Sequence, residues 1–237
     1  MTVYDLLILQ FIAHLFADYT FQSEFWVRHK RRYGFQSKPL YWHALVILFF
    51  SVLLGNQWSF VLASVAIVIS HVIIDGFKKQ AIKAKWGEYA FIFDQLLHIA
   101  IITGVVFLHT KLFGINTIIE MPFTSKQLLL FAGFLFCTKP ANILIREVFA
   151  LYKIKLPRDQ NTDLFNAGKL IGIIERLLTL TFLIYGQFEA VGFLIAAKSI
   201  LRYEGANTSK TEYVLIGTLL SFGLAILTYV IFNQLSF

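Results

Sequence analysis

The chain has 237 residues, 57% of them hydrophobic and 15% charged, with a mean hydropathy of +0.68. A soluble domain carries about 25% charged and 45–50% apolar residues, so this composition excludes a soluble domain and asks for lipid around an all-α, polytopic membrane bundle. The formal charge of +7 sits in short loops between apolar runs, and no stretch mixes basic residues with exposed stacking aromatics, which argues against nucleic acid as a partner.

The N-terminal Met1-Thr-Val-Tyr-Asp5 lacks the positive region of a cleaved signal peptide, so a first, retained helix is expected over 3–26. Pro39 opens a second over 40–55, where its missing N–H costs nothing. Gly55-Asn56 marks a tight turn into a third over 58–80, and a fourth runs over 88–113. A fifth, over 125–152, carries Pro140 and is expected to kink there. Three more follow over 165–186, 188–203 and 211–235. These eight segments give about seven or eight crossings in two four-helix halves, 1–113 and 114–237. Cys137, the only cysteine, rules out an intrachain disulfide and a thiolate metal cluster, and packs as a small hydrophobe.

Charge fixes the orientation. Arg28, Lys30, Arg31, Arg32 and Lys38 share one loop. Lys78, Lys79, Lys83 and Lys85 share the next. Arg146, Lys153, Lys155, Arg158 and Lys169 follow, then Lys198, Arg202 and Lys210. The intervening loops hold only Lys111 and Lys126. By the positive-inside rule the basic loops face the cytoplasm and both termini lie outside.

Ionisable groups inside membrane helices cost about 2.5–3.5 kcal/mol each and mark functional sites by default. The first half holds His14-x3-Asp18, His71-x3-Asp75 and Asp94-x3-His98, with His43 at the start of the second helix. A four-residue spacing puts both side chains on one helix face. Chance gives about 0.3 such pairs by counting matches. Allowing for helix direction, all three pairs place Asp toward the cytoplasm and His deeper, so four helices converge on one layer, as metal sites in bundle cores do. The N/O donor set of His14, Asp18, His71, Asp75, Asp94 and His98 favours a divalent metal, zinc first, with manganese or iron as alternatives. Asp94, His98 and His43 are candidates for acid/base catalysis, and Gln22 and Gln95 for substrate or supporting contacts. The competing reading is that each pair is a hydrogen-bonded ion pair satisfying polar groups in the bundle. His29 and His109 fall outside the pattern and are expected in solvent or at the interface.

Across residues 4–105, His14-Leu-Phe-Ala-Asp18-Tyr-Thr-Phe-Gln22, Lys30, His43-Ala44, Ser70-His71-Val-Ile-Ile-Asp75-Gly-Phe-Lys78 and Asp94-Gln95-Leu-Leu-His98 resemble a prokaryotic membrane family catalogued as domain of unknown function 3307. The resemblance implies a multi-pass protein of the cytoplasmic membrane and brings no activity with it. In motif style alone, the His/Asp helices are similar to bacterial membrane-bound metal-dependent hydrolases. No His-Glu-x-x-His occurs for an intramembrane zinc protease.

The second half carries Lys139, Arg146, Glu175-Arg176, Lys198, Arg202 and Glu212. Arg176, Lys198 and Arg202 read either as an anion pocket for a phosphate or carboxylate headgroup or as snorkelling and structural ion pairs. The leading expectation is a metal-dependent membrane hydrolase acting at the cytoplasmic side on an amphipathic or phosphorylated substrate, with membrane lipid as its surroundings. The alternatives are a divalent-cation or proton-coupled transporter, and a non-catalytic component with a structural His/Asp core.

Overall fold

The computed structural model describes residues 1–84, 87–154, 162–200 and 208–235, and all regular structure among them is helical. Lys85, Lys155, Arg158 and Arg202 lie outside the described residues. The chain forms two compact units, Met1–Ala132 and Gly133–Phe237. The linker 114–124 and the start of the sixth helix thus belong with the first unit.

Helix α1 (Val3–Leu15) opens on a capping box in which Thr2 and Asp5 each bind the other's backbone N–H. It then passes into a π-helical turn, Phe16–Thr20, closed by the Phe21 N–H donating to the Phe16 carbonyl at 2.9 Å. The expected helix over 3–26 ends at this turn. Ser23, whose Oγ accepts from the Trp26 N–H, caps a separate helix, α2 (Glu24–Tyr33). Gly34, at φ +56, ends α2 and starts a single 3₁₀ turn, Gly34–Gln36, which lies on the fourth helix of the unit. Two glycines permit that approach: a Cβ on Gly34 would stand 2.8 Å from the Gly76 carbonyl, and one on Gly76 would run into the Phe35 ring.

Helices α3 (Lys38–Gly55), α4 (Phe60–Lys83) and α5 (Ala90–Phe113) complete the first unit, with α1 packed on α3 and α5, and α4 between α3 and α5. The end away from the basic loops is fastened by Asn56, whose side chain binds the backbone of Ile119 in both directions. The core gathers Leu6, Ala17, Ile47, Phe60, Ala63, Ile67, Ile102 and Val106. The outer faces of α3, α4 and α5 are also apolar, with Phe49, Leu62, Ile69, Leu97 and Phe107 exposed. Apolar surface outside and polar side chains inside is the arrangement lipid favours.

The second unit contains the end of α6 (Ser125–Phe136), then α7 (Lys139–Leu151), α8 (Thr162–Ile184), α9 (Phe188–Ile200) and α10 (Thr208–Leu235), with α8 against α10 and α9, and α7 against both α8 and α10. The expected kink is a break: α6 and α7 are bent by 48° around Cys137 and Thr138, just ahead of Pro140. Among the described residues, α3, α4, α5 with its preceding turn, and α10 are each long and apolar enough to cross a bilayer, and the bent pair α6–α7 makes a fifth. Helices α1 and α9 have 13 residues each, about 20 Å of rise against a hydrocarbon core of about 30 Å.

Candidate metal centre

Helices α1 to α5 of the first unit all contribute to one buried cluster. α1 supplies His14, and the π turn places Asp18 Oδ1 3.6 Å from His14 Nδ1. The extra residue of such a turn re-aims the side chains beyond it, and π turns concentrate at functional sites. α3 supplies His43, whose Nε2 is 3.3 Å from Asp18 Oδ1 and 3.8 Å from Asp75 Oδ2. α4 supplies His71 and Asp75, and α5 supplies Asp94 and His98. The His71 and His98 rings stack at 4.0 Å, and both are 5.5 Å from the His14 ring. All seven sequence-predicted His and Asp residues of this half therefore meet in one layer.

Two lysines join them. Lys30, on α2, pairs with Asp75 Oδ2. Burial pulls its ammonium below the ordinary lysine range, against the attraction of Asp75. Lys78, on α4, donates to Asp75 Oδ1 and lies the same 2.9 Å from Asp94 Oδ2. Sequence reasoning counted both as loop charges. The signal for Lys78 was its three-residue spacing from Asp75, which shares a helix face. Lys30 had none beyond its place in the family resemblance, because α2 folds back onto α4 only in three dimensions.

Hydrogen bonds fix two imidazole tautomers. His71 Nδ1 faces the Ile67 carbonyl at 3.0 Å. A carbonyl only accepts, so Nδ1 carries the proton and Nε2 keeps its lone pair. Gln95 Nε2 donates to Asp94 Oδ2 at 3.0 Å, which turns Gln95 Oε1 toward Tyr19 and His14. That oxygen accepts from the Tyr19 hydroxyl at 2.7 Å and from His14 Nε2 at 3.2 Å, leaving the lone pair of His14 on Nδ1. The two lone pairs, His14 Nδ1 and His71 Nε2, then face each other at 3.4 Å. Nearby, both nitrogens of His98 and of His43, and Asp18 Oδ1, are buried without a hydrogen-bond partner among the described residues. His43 Nε2 and Asp18 Oδ1 are close but lack hydrogen-bond alignment. Buried polar atoms of this kind are satisfied by an ordered water or an ion, and the cluster could hold a cation. Ligand atoms from His14, Asp18 and His98 all lie within 4.8 Å of one another, and so do those from Asp75, Asp94 and His98.

Other expected positions fall elsewhere. Gln22 follows the π turn, its Nε2 buried without a partner among the described residues. His109, expected in solvent or at the interface, is 3% exposed. It shares the inward face of α5 with His98, three turns away, and contacts Ser59 Oγ at 3.1 Å and the Phe60 ring. His29 is half-buried, 2.8 Å from Ser37 Oγ.

In the second unit Arg176 is 1% exposed and spends its donors on the protein itself. It binds the Cys137 and Thr138 carbonyls at the α6–α7 break, with Asn142 Oδ1 at 2.6 Å and Ser221 Oγ at 2.8 Å. Lys198 pairs with Glu175. Lys139 and Arg146 are exposed, and Arg202, the third residue of the expected anion pocket, lies outside the described residues.

These features define an all-helical protein, with four or five helices suited to a membrane, built around a buried His/Asp/Lys cluster. The chain belongs to the family described as Protein of unknown function (DUF3307), whose model matches residues 6–128. Every member of the cluster falls within that match. Comparison with curated proteins and with solved structures finds no match.

Proposed function

We propose that the chain is a metal-dependent membrane hydrolase with one divalent ion held by His14, Asp18 and His98, and His71 beside them. The observation that carries this reading is the facing pair of lone pairs, His14 Nδ1 and His71 Nε2, at 3.4 Å. Two nitrogens bound to one tetrahedral ion at 2.0–2.1 Å stand about 3.4 Å apart. Imidazole and carboxylate donors suit zinc first, and manganese or iron(II) next. The ion would supply an activated water near neutral pH and polarise the scissile bond. His43, between Asp18 and Asp75 with neither nitrogen aligned in a hydrogen bond among the described residues, is the group to take and return the proton. Asp94 acts through Gln95 on the tautomer of His14.

The apolar layer beneath the site favours an enzyme over a transporter. One turn from His43, His71 and His98, on the same faces, stand Ile47, Ile67 and Ile102, all buried. The polar trio beyond them, Gln10, Ser51 and Ser64, satisfies itself. The reading places the site at the basic, cytoplasmic end of the unit, within reach of amphipathic or phosphorylated substrates in a prokaryotic cytoplasmic membrane. It also counts α1 with its π turn, α8 and α9 as tilted crossings, which gives eight crossings and both termini outside.

The test is turnover by purified protein in mixed micelles containing a lipid phosphate ester. Zinc-dependent hydrolysis that is lost in His14→Ala is the expected result. Zinc uptake by proteoliposomes without hydrolysis would make the chain a transporter instead.

A further inference from the structure

We infer that the Lys78 ammonium occupies the position of a second metal ion, so that the centre takes one divalent cation and is barred from taking two. The inference rests on the metal reading above. The second ligand group, Asp75, Asp94 and His98, has the reach and burial to hold an ion. Two of its members already share a cation: Lys78 Nζ is 2.9 Å from Asp75 Oδ1 and 2.9 Å from Asp94 Oδ2, bridging carboxylates from α4 and α5. The third member, His98, is 0% exposed, with both ring nitrogens unpartnered among the described residues, and its Nδ1 lies 3.9 Å from Asp94 Oδ2.

Charge gives the same answer. With neutral histidines, the cluster holds three carboxylates, Asp18, Asp75 and Asp94, against the ammonium groups of Lys30 and Lys78. It therefore lacks one positive charge. One divalent ion more than neutralises that deficit, and an added hydroxide restores balance. A second divalent ion beside Lys78 would strand uncompensated positive charge in a buried site. With Lys78 replaced by a neutral side chain, Asp94 loses its cation, Asp75 keeps only Lys30, and the vacated position between the two carboxylates becomes a binding site. Lys78 thus sets metal number, and it holds a fixed positive charge beside the ion that no chelator removes.

Manganese counting on the full chain in detergent tests this, by metal analysis after desalting and by electron paramagnetic resonance. Wild type should hold one Mn²⁺ per chain with an uncoupled signal. Lys78→Met should hold two, with the exchange-coupled spectrum of neighbouring ions, and Lys78→Arg, which keeps the cation, should hold one. Lys78→Gln, whose amide still donates to a carboxylate, serves if the methionine variant does not fold, and it too should hold two. Two ions in wild type, or one in a folded neutral variant, would overturn the inference while leaving a metal-binding protein. No Mn²⁺ or Zn²⁺ in wild type would overturn the metal reading, and this inference with it.

Discussion

Gln95 sits beside Asp94 in sequence and joins the two halves of the cluster in space. Its amide takes direction from the Asp94 carboxylate and passes it to His14. Partners of this kind that orient a ligand typically cost 10–100-fold in metal affinity when removed. Gln95→Leu is therefore expected to weaken zinc binding by about that factor in a chelator-competition titration, with helical content unchanged. Unchanged affinity would mean that the tautomer of His14 is set by something else. Arg176 offers a different case, a buried cation whose hydrogen-bond partners among the described residues are two main-chain carbonyls, an amide and a hydroxyl. Hydrogen bonds to charged groups contribute about 1.5–3 kcal/mol each. Arg176→Leu should then destabilise the second unit by about 3 kcal/mol or more in detergent, seen as a lower Tm. A surface-like loss below about 1 kcal/mol would contradict the clamp. The sequence placed His14, His43, His71, His98 and their aspartates in one layer because charge inside an apolar helix is costly enough to be noticed. It did not reveal the lysines, since a basic residue near a helix end reads equally well as topology.

Among the elements, the contact of α2 and its 3₁₀ turn with α4 matters most, because it delivers Lys30 to Asp75. Its tolerance is set by Gly34 and Gly76. Gly76→Ala puts a methyl group against the Phe35 ring, and overpacking of this kind costs about 1–3 kcal/mol. Phe35→Ala should restore the lost stability in the double variant, and failure to restore it would place the strain elsewhere. The sequence foresaw the bend at Pro140, because proline removes a donor and clashes with the preceding turn. It did not foresee the π turn at Phe16–Thr20 or the end of α1. The run from Val3 to Trp26 is continuously apolar and aromatic apart from its few polar residues, and hydropathy cannot tell a π turn from an α turn. Nor could it foresee that His109 is buried, since that depends on Ser59 and Phe60 arriving from the turn before α4.

At the scale of the whole molecule, apolar faces point outward, charge is gathered inside the first unit, and within that unit the basic helix α2 lies against the basic end of α4. The expected topology places loop 28–38 in the cytoplasm. Ser37 is 0% exposed, so the probe belongs at its exposed neighbour, Gln36. Gln36→Cys in a Cys137→Ser background should resist an impermeant maleimide in intact cells and react after lysis. Labelling from outside would invert the topology and move the site to the other face. The central claim, that the buried cluster exists to hold a divalent ion, is tested most directly by the metal content of purified wild type and Asp18→Asn after equilibration with buffered zinc. The amide keeps the shape of Asp18 and removes the one carboxylate of the cluster that no lysine pairs with among the described residues. The account predicts about one zinc per wild-type chain, held by nitrogen and oxygen ligands, and little in a folded variant. Zinc-free wild type, or an Asp18→Asn protein that binds as much zinc as wild type, would contradict it.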